Sequence, residues 1–137
     1  MTITICGSMQ FSEQMLDVQK QLIVEGHEVF VSGTTHEFVG KDAAAKEALV
    51  LEHKREADPI RDHYDLIVKS DAILVLNYDK RGVANYIGGN TLMELGFAYI
   101  LRKKIYLLNP IPEIPYYKSE IAAVKPILLD GDLTKIS

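Results

Sequence analysis

Short apolar runs alternate with helix-patterned stretches along most of this chain, and that alternation leaves few architectures open. Ile3, Ile5 and their neighbours form a β-prone run ending at Cys6-Gly7-Ser8. A helical pattern follows with Met15, Leu16, Gln19, Leu22 and Ile23 on one face, which Ser12 can cap and Gly26 can stop. Glu28 to Val31 reads as a second strand, parallel to the first through a right-handed crossover. Asp58-Pro59 is a helix start, with Ile60, Tyr64, Ile67 and Val68 as the apolar stripe. Ala72 to Leu76 reads as a buried strand, Thr91 to Leu101 as a helix and Ile105 to Leu108 as the next strand. A proline-rich loop, a short helix near Ser119 to Val124 and a last strand near Ile127 to Leu129 complete the pattern.

Such a succession implies an α/β fold: a flavodoxin-like, doubly wound parallel sheet of about five strands in three layers. The chain has 137 residues, so a single domain over 1–137 is expected. The stretch 32–56 interrupts the alternation and is expected to be an insertion or lid. Fifteen basic against nineteen acidic residues give a net charge of −4, which argues against a general nucleic-acid or anionic-membrane surface but allows a local pocket for one phosphate. The one cysteine, Cys6, excludes an intramolecular disulfide framework and any multi-thiolate zinc site. A reducing cytoplasmic location is expected, with no signal segment and no membrane span.

In a sheet of this kind ligands bind beyond the carboxyl ends of the strands, which directs attention to the loops at Gly7-Ser8-Met9, Asn77-Tyr78-Asp79 and Asn109-Pro110. The residue least suited to its surroundings is Glu94, the only charged residue between Gly82 and Leu101. Leu92, Met93, Leu95, Phe97, Tyr99, Ile100 and Leu101 make its helix apolar on nearly every side, so burial by the sheet and by a second subunit is expected. An unpartnered ion there costs at least several kcal/mol. A place in the first helical turn recovers only about 0.3 to 1 kcal/mol from the helix dipole. Two readings remain: Glu94 returns a capping-box bond from Thr91, or it projects into the ligand cleft. Gly88-Gly89-Asn90 ahead of it is either a flexible turn or an anion site made of unhindered amides. Gly7 and Ser8 can likewise be an ordinary turn or a phosphate- or sugar-binding loop. Cys6 reads as a core strand residue, because no base lies near it in sequence to activate the thiol.

Cys6-Gly7-Ser8, the run Ser70-Asp71-Ala72-Ile73-Leu74-Val75-Leu76 and Met93-Glu94-Leu95-Gly96-Phe97-Ala98, in this order, resemble the nucleoside 2-deoxyribosyltransferase superfamily, which includes the deoxynucleoside monophosphate N-glycosidases. The likeness spans Ile3 to Leu108. It implies that Glu94 is the nucleophile that attacks the anomeric carbon and displaces the base. It implies that Asp71 contacts the base or orients the nucleophile, although Asp71 can equally cap the helix ending at Ser70. Gly7 and Ser8 correspond to the sugar or phosphate loop. Six positions before the nucleophile the transferases tend to carry an aspartate and the monophosphate hydrolases a serine; Gly88 stands there in this chain. Removing an acidic group favours a phosphate, which the amides of Gly88, Gly89 and Asn90 can hold, so the resemblance points toward the hydrolase branch. The tyrosine that several members carry on the first strand is absent, with Tyr78 and Tyr86 as possible substitutes, and 32–56 has no obvious counterpart.

The expected function is therefore cleavage or exchange of the N-glycosidic bond of a nucleoside monophosphate or nucleoside by a homo-oligomer, without cofactor or metal. The alternative is a non-catalytic nucleotide-binding sensor. The expected site comprises Glu94 and Asp71 as catalytic residues, with Gly7, Ser8, Met9, Asn77, Gly88, Gly89 and Asn90 binding substrate. Asn77 and Asn109 fit either a base edge or plain turn chemistry. Lys54, Arg55 and Arg61 are candidates for a phosphate-facing patch, while His36, His53 and His63 match no metal-ligand spacing. Tyr116 and Tyr117 are candidate contacts across a subunit boundary.

Overall fold

The computed structural model describes all residues from Met1 to Ser137. Five parallel strands form one sheet: β1 (Thr2–Cys6), β2 (Glu28–Phe30), β3 (Ala72–Val75), β4 (Lys104–Leu107) and β5 (Ile127–Leu128). Their spatial order is β2-β1-β3-β4-β5, the flavodoxin-like arrangement the alternation implied. The chain leaves β1 toward one edge to make β2 and returns on the other side of β1 to make β3. The winding thus reverses between β1 and β3, and the connections leaving their carboxyl ends part to opposite sides, which opens a cleft above the paired strands. β3 is apolar and buried at all four positions because both sheet faces are covered.

On one face α1 (Ser12–Val24) places Met15, Val18 and Leu22 against Ile3, Ile5 and Leu74. On the other face α4 (Pro59–Val68), α5 (Gly89–Ile100) and α6 (Lys118–Ala123) place Ile67, Leu95, Ala98 and Ile121 against Ile73 and Val75. Between β2 and α4 lie α2 (Thr35–Phe38) and α3 (Ala43–Glu56), which account for the irregular stretch 32–56. This pair is tied to the start of α1: the buried Lys46 ammonium donates to the Gln10 carbonyl at 3.1 Å and to Glu13 at 2.5 Å. No helix is long and apolar enough to cross a membrane.

Local chemistry explains the boundaries. Gly26, at φ +95°, closes α1: its amide reaches the Ile23 carbonyl and that of His27 reaches Leu22. Asp58 caps α4 through the Arg61 amide, with Pro59 in the first turn. Ser12, the expected cap of α1, is instead its first residue. The chain enters through a 3₁₀ turn, Met9–Phe11, and extended Ser8 takes the capping role by accepting from the Gln10 amide. α5 likewise starts two residues earlier than expected, with Gly88 as its cap residue, so Glu94 lies in the second turn and no Thr91–Glu94 capping box forms.

Candidate active site

The tight join between β1 and β3 shapes the floor of the cleft. Gly7 adopts φ +150°, and a Cβ there would stand 2.9 Å from the Leu76 carbonyl oxygen, so a larger residue would push the strand ends apart. Above this floor are two adjoining hollows that share Gly7, Met9, Val50, Lys54 and Asn90. They differ in character. Half of the 18 residues around the inner hollow are hydrophobic, with Phe38, Ile60, Met93 and Phe97 among its walls. Only three of the 14 around the outer hollow are hydrophobic.

Glu94 opens on the inner hollow, its side chain 15% exposed. His63 of α4 stands beside it, with Nε2 at 3.8 Å from Oε2. Cys6, at the end of β1, completes the group: its Sγ lies 3.4 Å from His63 Nε2, and donor atoms of all three residues fall within 4.8 Å of one another. Burial pushes the Glu94 carboxyl up to about 8, only partly opposed by a bond from the Cys6 thiol. Burial also lowers His63 to about 4, against a weaker pull from the Ile5 backbone, so the imidazole is neutral at pH 7 and does not pair with Glu94 as an ion. The Cys6 thiol is held well above its ordinary value by burial, then by the Glu94 charge. It is accordingly a proton-bearing neighbour of the carboxyl and not an activated nucleophile.

The outer hollow is built for a different chemistry. Gly88, Gly89 and Asn90 bring the amino-terminal turn of α5 to its wall, and Ser8 faces them. A Cβ at Gly88 would meet the Tyr86 ring at 3.2 Å, a tight contact that the ring would have to relieve by shifting. Lys80 and Arg81 come from a two-residue turn in which both Arg81 (φ +52°) and Gly82 (φ +73°) are left-handed, closed by reciprocal Lys80–Val83 backbone bonds. Lys80 Nζ donates to Ser8 Oγ at 2.9 Å and lies 4.8 Å from the Tyr86 ring centre. Burial, then the charge of Arg81, lower its pKa. Arg81 contacts Glu47, also on the wall, at 3.6 Å.

The structure brings together Gly7, Ser8, Met9, Gly88, Gly89, Asn90 and Glu94, as the sequence led one to expect. Two expected members are elsewhere. Asp71 precedes β3, at the opposite end of the sheet, roughly 13 Å back along the strand from Val75. It is exposed, and its Oδ2 accepts the Thr2 amide at 2.8 Å, so it joins β1 to β3 and does not reach Glu94. Asn77 is fully buried: its amide nitrogen donates to the carbonyls of Asn109 and Pro110, and its oxygen accepts the Asn109 amide. With every polar atom engaged in clamping two loops, it has none to offer a ligand.

Of the basic candidates, Lys54 lines both hollows, whereas Arg61 is exposed and bonded to Asp58 and Arg55 lies on the exposed face of α3. Tyr86 lines the outer hollow, while Tyr78 packs edge-on against Phe11. Tyr116 is 91% exposed, and Tyr117 is used internally, donating to the Ile87 carbonyl.

Sequence reasoning missed Lys80 and Arg81 as site residues, set Cys6 aside as core and left out His63, whose spacing to the other histidines matched no metal-ligand pattern. For His63 a signal existed, because Ile60, His63 and Ile67 fall on one side of α4. For Cys6 none existed, since its neighbours in the cluster are 57 and 88 residues away. No protein-family model matches this chain, and no curated protein or solved structure is detectably similar to it.

Proposed function

We propose that this protein cleaves or exchanges the N-glycosidic bond of a nucleoside monophosphate, with Glu94 as the nucleophile. The observation that carries the reading is the position of that carboxyl: free of its own helix cap, it faces an apolar chamber continuous with a cationic, amide-lined one. A 5′-phosphate suits the outer hollow, where backbone amides, Ser8, Lys54 and Lys80 converge. A base suits the inner hollow between Phe38, Met93 and Phe97. The sugar then spans the shared floor with its anomeric carbon toward Glu94. The resemblance of the Glu-Leu-Gly helix and the Cys-Gly-Ser loop to nucleoside 2-deoxyribosyltransferases supports the same assignment.

In this scheme a Glu94 carboxylate oxygen bonds to C1′ while the C1′–N bond breaks, its electron pair leaving on the base, which takes a proton from solvent. Water then attacks C1′, the ester bond to Glu94 breaks, and the proton lost by water returns to solvent. A second base in place of water gives exchange. The burial that disfavours the free carboxylate also strengthens its attraction to positive charge developing on the sugar, so the interaction is larger in the transition state than before it. Incubation with a panel of ribo- and deoxyribonucleoside monophosphates, followed by chromatography for free base, tests the reading. Glu94→Gln should abolish release and preserve binding.

The burial of Glu94, 15% exposed and without a cationic partner, favours a second reading, a nucleotide-binding sensor, because a carboxyl pushed up to about 8 is mostly neutral at pH 7. Saturable binding with no free base from any member of the panel would establish the sensor instead.

A further inference from the structure

Cys6, His63 and Glu94 come from three different packed elements, β1, α4 and α5, yet their donor atoms converge on one point beside the inner hollow. A thiolate, an imidazole and a carboxylate bound to zinc at ordinary bond lengths stand about 3.3 to 3.6 Å apart at tetrahedral angles. Here Sγ and Nε2 are 3.4 Å apart, Nε2 and Oε2 3.8 Å, and all three donors lie within 4.8 Å of one another, so the triangle must contract around an ion to reach that geometry. The charge also closes: two anionic ligands and a neutral imidazole balance a divalent ion, so the buried cluster carries no uncompensated charge. We propose that Cys6 Sγ, His63 Nε2 and a Glu94 carboxylate oxygen bind one thiophilic divalent cation of the zinc class, with the fourth position facing the inner hollow.

Binding releases two protons to solvent, one from the thiol and one from the carboxyl, and forms three metal–ligand bonds without any change of oxidation state. Sulfur and nitrogen donors favour zinc or cobalt over magnesium or calcium. A consequence, which rests on the glycosidase reading, is that the ion occupies the carboxylate needed for attack on C1′ and silences turnover.

The test uses the full chain, stripped with a chelator and titrated with cobalt(II), then with zinc(II). Saturation at one ion per chain, with a thiolate-to-cobalt charge-transfer band that zinc displaces, is the expected result. Cys6→Ser should lose the band, and His36→Ala, at an exposed histidine outside the cluster, should keep it. Absence of saturable uptake, a saturated complex without the thiolate band, or unchanged zinc affinity in folded Cys6→Ser would overturn the proposal. Should Cys6→Ser not fold, Glu94→Gln decides, because unchanged zinc affinity there is equally fatal. None of these readouts needs turnover, so loss of the glycosidase reading would leave the metal result standing, and the reverse.

Discussion

Two glutamates in this protein sit near the same cleft in opposite electrostatic circumstances. Glu13, in the first turn of α1, accepts from the Lys46 ammonium at 2.5 Å, the Gly40 amide at 3.0 Å and the Ser12 hydroxyl at 3.0 Å. Those bonds, led by Lys46, hold its carboxyl down to about 2. Glu94 receives no backbone amide and faces a neutral histidine, and burial drives it up to about 8. The first carboxylate is spent on structure, fastening the α2–α3 segment over the cleft. The second has unused bonding capacity aimed at a cavity. A carboxylate left under-bonded where bonding would have been easy is the better candidate for chemistry.

The largest test of this contrast is Glu94→Gln. It should lower kcat/KM for base release by roughly a thousandfold or more while nucleotide affinity, measured calorimetrically, stays within a few-fold. Because glutamine imitates the protonated side chain, folding stability at neutral pH should not fall. A comparable loss of binding would place Glu94 in recognition instead.

The pH profile comes next. Attack needs the ionised carboxyl, so in chelator-treated protein kcat/KM should climb roughly tenfold per pH unit below about 8 and level off above it. Cys6, His63, His53 and Lys54 line the same hollow, and His63 is already neutral through this range. A flat profile between neutral and mildly alkaline pH would contradict the assignment. Stability should run the opposite way for this residue: its folded value is raised, so its contribution is full below the unfolded value and lost as pH rises through about 8. For Glu13, whose folded value is depressed, the contribution is present above the unfolded value and lost as pH falls toward about 2. Denaturant melts across pH, with Glu94→Gln and Glu13→Gln as references, separate the two.

Lys80→Met should raise KM for monophosphates about tenfold and leave the matching nucleosides unaffected, if the outer hollow holds phosphate. Glu13→Gln should cost about 1 kcal/mol in urea melts, a modest loss because the Glu13 side chain is 43% exposed and water screens the pair. Asp71→Asn should change least: about 0.5 kcal/mol of stability from a weakened bond to Thr2, with kcat unchanged. A large loss of turnover there would return Asp71 to the mechanism.

The legible parts of the molecule were those governed by neighbours in sequence. Gly26 ends α1, Asp58 and Pro59 start α4, and the apolar run of β3 is buried, because capping and periodicity act over a few residues. Glu94 stood out for a related reason: one charge in a long apolar tract is anomalous wherever the chain goes. Ser12 misled because a 3₁₀ turn before α1 shifts the capping role to Ser8. Asp71 misled because the motif at the head of β3 does not say which end of the sheet a side chain serves, and the strand direction puts it opposite the cleft.

Local pattern was thus enough for an α/β chain wound in parallel and for a carboxyl that needed an explanation. Strand order, the meeting of Cys6 and His63 at Glu94, and the delivery of Lys80 to the wall beside Ser8 came only with folding. The reason is distance along the chain. Hydrophobic period and capping are decided within a turn or two, whereas the burial that shifts Glu94 and the bond from Lys80 to Ser8 arise between residues dozens of positions apart, brought together by crossovers that no single segment encodes.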